Sequence, residues 1–181
     1  MSHPSITTKP LAGSIQIRRA QLPDARAIAT IHVDGWRVAY RGIMPDALLD
    51  NLDPDEFTLR WIERIQSEAS RIYVASARGK VVGWASFRLL RDNVPLRGEL
   101  MGLYLAPNHW RKGYGTLLYR TGEQDYRDSG ASEISLWVLA KNYGARLFYR
   151  KHGYRWSGIL RMPEYGNRPC MTLQYRKSLK G

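Results

Sequence analysis

Hydrophobic and polar residues change their spacing several times along this chain, and each change marks an element. Ile15-Gln16-Ile17-Arg18 alternates with the two-residue period of a half-buried strand. From Pro23 and Asp24 onward the period lengthens, and Ala25, Ile28, Ala29, His32 and Trp36 share one face of a helix. A polar and aromatic connection through Tyr40, Gly42 and Pro45 follows, and Asp53-Pro54 begins a second helix that ends near Ala69. Three strand-like runs come next, at 71–77, 80–90 and 98–105, the first two joined by a hairpin at Arg78-Gly79. Helix and strand then alternate: a helix over 116–127 stopped by Gly130, a strand over 133–139, a helix over 142–151 stopped by Gly153, a strand after it, and a last strand over 172–175. The predicted order, β-α-α-β-β-β-α-β-α-β-β, describes an α/β chain with a mixed sheet and helices packed on it.

Composition bounds this picture. With 181 residues, 44% of them hydrophobic, the chain fits one domain with a sizeable core, predicted over 15–176. Residues 1–14, rich in Ser, Thr, Pro and Gly, are predicted to form a disordered leader, and 177–181 a basic tail. A single cysteine, Cys170, excludes an intramolecular disulfide, no apolar run is long enough to span a membrane, and the N-terminus lacks the pattern of a secretory signal. A cytoplasmic protein follows. Lys+Arg 28 against Asp+Glu 16 gives +12, a balance that favours anionic partners such as nucleic acid, a membrane surface or a polyanionic cofactor, or serves solubility alone. The charges are scattered in ones and twos, which argues against a nucleic-acid face.

The densest chemical signal lies between Glu99 and Thr116. A strand pattern runs into Pro107, and Arg111-Lys112-Gly113-Tyr114-Gly115-Thr116 then opens an amphipathic helix. Glycines leave backbone N–H groups uncovered, a helix start carries partial positive charge, and two cations add full charges. A phosphate or pyrophosphate is the expected occupant.

Gly113-Tyr114-Gly115 after the strand resembles the Q/R-x-x-G-x-G/A acetyl-CoA motif of the GNAT superfamily of N-acetyltransferases. Asn142-Tyr143-Gly144-Ala145-Arg146-Leu147-Phe148-Tyr149-Arg150-Lys151-His152-Gly153-Tyr154 resembles its second signature, N-x-x-A-x-x-F-Y-x-K-x-G-F/Y. The two motifs cover about 99–154, and the element order extends the likeness over 15–176. In one departure, Trp110 stands where the family carries Gln or Arg, with Arg111 one place later.

The resemblance implies a GNAT-like fold and acetyl-CoA as co-substrate. The loop Arg111, Lys112, Gly113, Tyr114, Gly115 and Thr116 would hold the pyrophosphate, and the main chain of Leu103, Tyr104 and Leu105 the pantetheine. Gly102 is the expected irregular point of that strand, and a backbone N–H near Leu103 would polarise the thioester carbonyl. Asn142 would sit by the cofactor and Tyr149, a phenol protonated at neutral pH, would give a proton to the departing thiolate; an interfacial aromatic on an apolar helix face is the competing account. Glu99 is the candidate base for the amine, against a strand-end carboxylate paired with Arg97 or Arg88. Trp36 and Tyr40 fall where the family covers its acceptor, and Asp34, Asp46 and Asp50 lie nearby, either drawing in a cationic amine or forming a solvated acidic loop. His32 and His109 read as packing or surface residues. The four dispersed histidines and one cysteine give no metal-ligand spacing. These residues predict acetyl transfer to a small-molecule or peptide amine by direct attack, with no membrane and no nucleic acid as partner, and pairing into a homodimer left open. The alternative is a basic binding module, for nucleic acid or for acyl-CoA sensed without turnover.

Overall fold

The computed structural model describes residues 15–67, 69–90 and 95–180, so the leader expected over 1–14 lies outside the described residues. Strand β1 (Ile15–Arg19) leads through one 3-10 turn into α1 (Ala25–Ala39), whose buried face carries Ala25, Ile28, Ala29 and His32 as its spacing predicts. The connection after Tyr40 holds a short helix that the spacing does not announce, α2 (Asp46–Asp50). In α3 (Pro54–Gln66), Pro54 occupies the first turn and the Asp53 carboxylate caps it by accepting from the Asp55 N–H at 2.8 Å.

Strands β2 (Ser70–Ala77) and β3 (Lys80–Leu90) form the expected hairpin, with positive φ at both Arg78 and Gly79, a backbone twist that suits a two-residue turn. Then come β4 (Arg97–Leu105), α4 (Tyr114–Asp128), β5 (Glu133–Leu139), α5 (Tyr143–Lys151) and β6 (Arg155–Arg161). A two-residue hairpin, β7 (Glu164–Tyr165) with β8 (Arg168–Pro169), precedes β9 (Thr172–Ser178). The basic tail expected over 177–181 is corrected by this last strand. Lys177 belongs to β9 and places its Nζ 2.7–2.8 Å from both carboxylate oxygens of Glu123, while Leu179 is buried in the main core. Its charge is held by a partly buried carboxylate on α4, so the chain stays ordered where composition predicts fraying.

The sheet has seven strands in the order β1-β2-β3-β4-β5-β9-β6. Helices α4 and α5 pack on one face through Leu118, Tyr119, Tyr126 and Phe148, whereas α1 and α3 cover the other through Ile28 and Trp61, which pack with Trp84 of β3. Only β4 and β5 run parallel, and they pair only from Arg97↔Glu133 to Leu100↔Leu136. Beyond that point β4 stays bonded to β3 and β5 to β9, and the two strands part. The sheet therefore opens a wedge at its centre, beside the loop that leads into α4.

Candidate active site

The wedge begins at a bulge. Ser86 pairs with Gly102 but Phe87 with Leu100, so Met101 is the extra residue, one place before the glycine that the sequence singles out. From there to Leu105 the strand keeps its β3 ladder, and its other edge has no β5 partner. Leu103 and Leu105 turn their side chains into the α4 and α5 core, so the free edge presents main chain. An extended amide chain can lie along such an edge as an added strand.

At the end of β4 the indole N–H of Trp110 donates to the Leu105 carbonyl at 2.8 Å and pins the loop to the strand. Trp110 thus acts on loop position, a part for which its place in the motif gives no signal. Arg111 and Gly113 both take left-handed backbone, at φ 58° and 82°, and fold the loop into a concave turn. α4 starts at Tyr114, two residues earlier than predicted, with Gly113 as its cap. Among the described residues no backbone carbonyl accepts from the N–H groups of Arg111 to Gly115, and nothing lies within 4 Å of where a Cβ on Gly113 would stand. Exposed Arg111 and Lys112 flank this turn. Free donors, space and positive charge are what a pyrophosphate requires.

Across the wedge stand three tyrosines from three elements. The Tyr40 hydroxyl, at the end of α1, lies 2.6 Å from that of Tyr104 on β4. Tyr149 comes from α5, and its hydroxyl makes no hydrogen bond to any other described residue. Burial raises the pKa of all three, that of Tyr40 to about 12, and the proximity of Tyr40 further raises those of Tyr104 and Tyr149. These phenols stay protonated, a condition that suits an acid. Sequence reasoning assigns Tyr104 only its main chain; the side chain's part emerges from packing. Gly35 in α1 makes it possible, because a Cβ there would stand 2.8 Å from the Tyr104 ring. Trp36 stacks edge-on against Tyr40 at 5.4 Å, so the two predicted acceptor residues are neighbours. His32 lies deeper, with Phe57, Trp61, Trp84 and Tyr104 around it, and burial pushes its pKa down to about 3.

Other candidates are engaged elsewhere. Glu99 is buried, and its Oε2 accepts from Arg88 Nε at 2.8 Å and lies 2.6 Å from Arg88 Nη2, the pairing named as its competing account; Oε1 makes no hydrogen bond among the described residues. Asn142 is the N-cap of α5, its side-chain oxygen accepting from the Ala145 N–H at 3.1 Å. Asp46 and Asp50 are exposed and both pair with Arg41, at 3.2 and 2.7 Å, the arrangement of a solvated loop whose charges are met within it. His109 lies on the surface turn and stacks on Tyr114 at 6.2 Å.

Residues 28–154 match the Acetyltransferase (GNAT) family. The chain belongs to that family, and it is an acetyl-CoA-dependent N-acetyltransferase. It is 33% identical over 140 residues to the uncharacterised N-acetyltransferase YuaI of Bacillus subtilis, covering 76% of this chain and 79% of that one. Spermidine N(1)-acetyltransferase of Thermoplasma acidophilum is 24% identical over 147 residues, covering 78% and 89%. The fold is shared with the crystal structure of the PaiA N-acetyltransferase of Thermoplasma acidophilum in complex with coenzyme A, with a TM-score of 0.72 over 91% of this chain and 99% of that one at 20% identity. The family match selects the transferase over the basic binding module. No helix among the described residues is long and apolar enough to cross a membrane.

Proposed function

We propose that this transferase moves acetyl to a primary amine by direct attack, with Tyr149 as the acid. The observation that carries this reading is the parting of β4 from β5 after Leu100 beside a phenol that burial keeps protonated. When bound, acetyl-CoA supplies the acetyl group as a thioester. The N–H groups of the loop and the side chains of Arg111, Lys112 and Thr116 hold the pyrophosphate, and Asn142 offers its amide nitrogen while its oxygen caps α5. The main chain of Leu103, Tyr104 and Leu105 aligns the pantetheine, and a backbone N–H near Leu103 meets the carbonyl oxygen.

In the reaction the neutral amine nitrogen forms the new C–N bond, the C–S bond breaks, the sulfur takes its proton from the Tyr149 hydroxyl, and the proton that the nitrogen then sheds returns through water to the Tyr149 phenolate. An alkylammonium has a pKa of about 10 and must first lose a proton. Oε1 of Glu99 receives it through water, while Arg88 holds Oε2 in place. An acetylated cysteine is not needed: Cys170 is buried and gives its S–H to the Ile43 carbonyl.

The spermidine-acetylating relative supports an amine as acceptor. A reducing, cytoplasmic setting fits the buried unpaired thiol. Pairing of two copies would use edge strand β6, where Trp156, Ile159 and Leu160 are exposed. The test of the activity is release of free coenzyme A thiol from acetyl-CoA across a panel of amines. Release that depends on the amine is the expected result, and none with any amine overturns the reading.

A further inference from the structure

Leu136 is the last residue of β5 to pair with β4, so Trp137 stands first at the freed edge. Leu136 and Val138 turn into the α4 and α5 core, and by alternation Trp137 and Leu139 turn to the opposite face. Leu139 belongs there to a cluster against which Trp36 and Tyr40 pack, the residues expected to meet the acceptor. Tyr104, between Leu103 and Leu105, points to that face as well. Trp137 and Tyr104 thus flank the parting of the strands from one side of the sheet.

Arg161, at the end of β6, lies over the Trp137 ring at 4.1 Å, the closest cation–ring contact among the described residues, the others standing at 5.2–5.6 Å. Its charge also reaches Tyr165 beside Trp36, where it opposes the rise in pKa that burial causes. The Arg161 carbonyl accepts from Thr172 Oγ1 at 3.2 Å, which fixes the end of the strand. Its guanidinium is exposed and makes no ion pair among the described residues, not even with Glu164 three places on. Arg88 and Arg41, by contrast, have their charges met by Glu99 and by Asp46 and Asp50. A guanidinium over an indole is held by the ring while its N–H groups stay open, and its planar fork matches a carboxylate in two hydrogen bonds.

We infer that Arg161, seated on Trp137, binds the carboxylate of an acceptor that carries this group and the amine in one molecule, an amino acid. The inference rests on the transfer reading above and adds the class of substrate. The amine enters the parting toward Tyr149, and the carboxylate stays at the guanidinium. The same charge repels a second ammonium, so it separates amino acids from diamines of equal reach.

The test reads thiol release from acetyl-CoA with amino acids of graded chain length, each beside the amine that lacks only the carboxylate, in the wild type and in Arg161→Gln. For at least one such pair the wild-type KM is lower for the acid by about tenfold or more, the scale of a hydrogen bond to a charged group. In Arg161→Gln the ratio of the two KM values falls to near one, and in Arg161→Lys, which keeps the charge without the fork, it is intermediate. A loosened β6 raises both KM values together and leaves their ratio as it was. The inference is overturned, with the transfer reading left standing, by a wild type that prefers no acid over its matched amine or by a ratio that Arg161→Gln does not move. Failure of the transfer reading has a different signature: coenzyme A does not raise the Tm and neither acids nor amines release thiol, and then this inference falls with it.

Discussion

In the proposed mechanism Tyr149 is the acid: burial raises the pKa of its phenol further above neutral, and its hydroxyl makes no hydrogen bond among the described residues. Tyr149→Phe is expected to lower kcat about 100-fold, the usual scale for a positioned acid, while the Tm rise produced by coenzyme A persists. Glu99→Gln is expected to flatten the acidic limb of the kcat/KM profile; an unchanged limb assigns the amine's deprotonation to solvent. His32 makes a prediction about stability. Its folded pKa of about 3 lies below the unfolded value of 6.5, so between these limits the unfolded chain binds the proton that the folded chain refuses. Stability is therefore lost as pH falls from 6.5 toward 3, by about 2–3 kcal/mol at pH 4.5. His32→Leu removes this part of the slope, which denaturant melts at pH 7 and 4.5 read directly.

Among the elements, α1 and β4 set the site between them. A glycine within a helix costs about 1 kcal/mol relative to alanine, yet Gly35 lets α1 approach β4 closely enough for Tyr104 to reach Tyr40. Gly35→Ala is expected to force the Tyr104 ring aside, with a net loss of about 1–3 kcal/mol in place of the usual gain in helix propensity, and a fall in kcat. Element boundaries were legible in the sequence where local chemistry makes them. Asp53-Pro54 caps and opens α3, and Arg78-Gly79 closes a hairpin whether or not a core exists. α2 and the β7–β8 hairpin were not legible, because five and two residues are too few to display a period, and both are held by packing from elsewhere.

At the scale of the whole molecule, a ligand that binds the folded chain alone must stabilise it. Coenzyme A at about 100 times its Kd is expected to add about 2.7 kcal/mol, which for a chain of this size raises Tm by about 5–10 °C. The rise shrinks with ionic strength, since the loop cations and the general +12 charge act on an anion.

The sequence by itself determined the alternation of strands and helices, the glycine-bearing loop that opens α4, and the two motifs that place the chain in its family, since each depends on spacing within a few residues. Only the tertiary structure decided that Arg88 holds Glu99, that Lys177 is held by Glu123, and that the Tyr40 and Tyr104 hydroxyls meet. These partners lie up to 64 residues apart, and local periodicity carries no record of which distant side chain a fold will bring near.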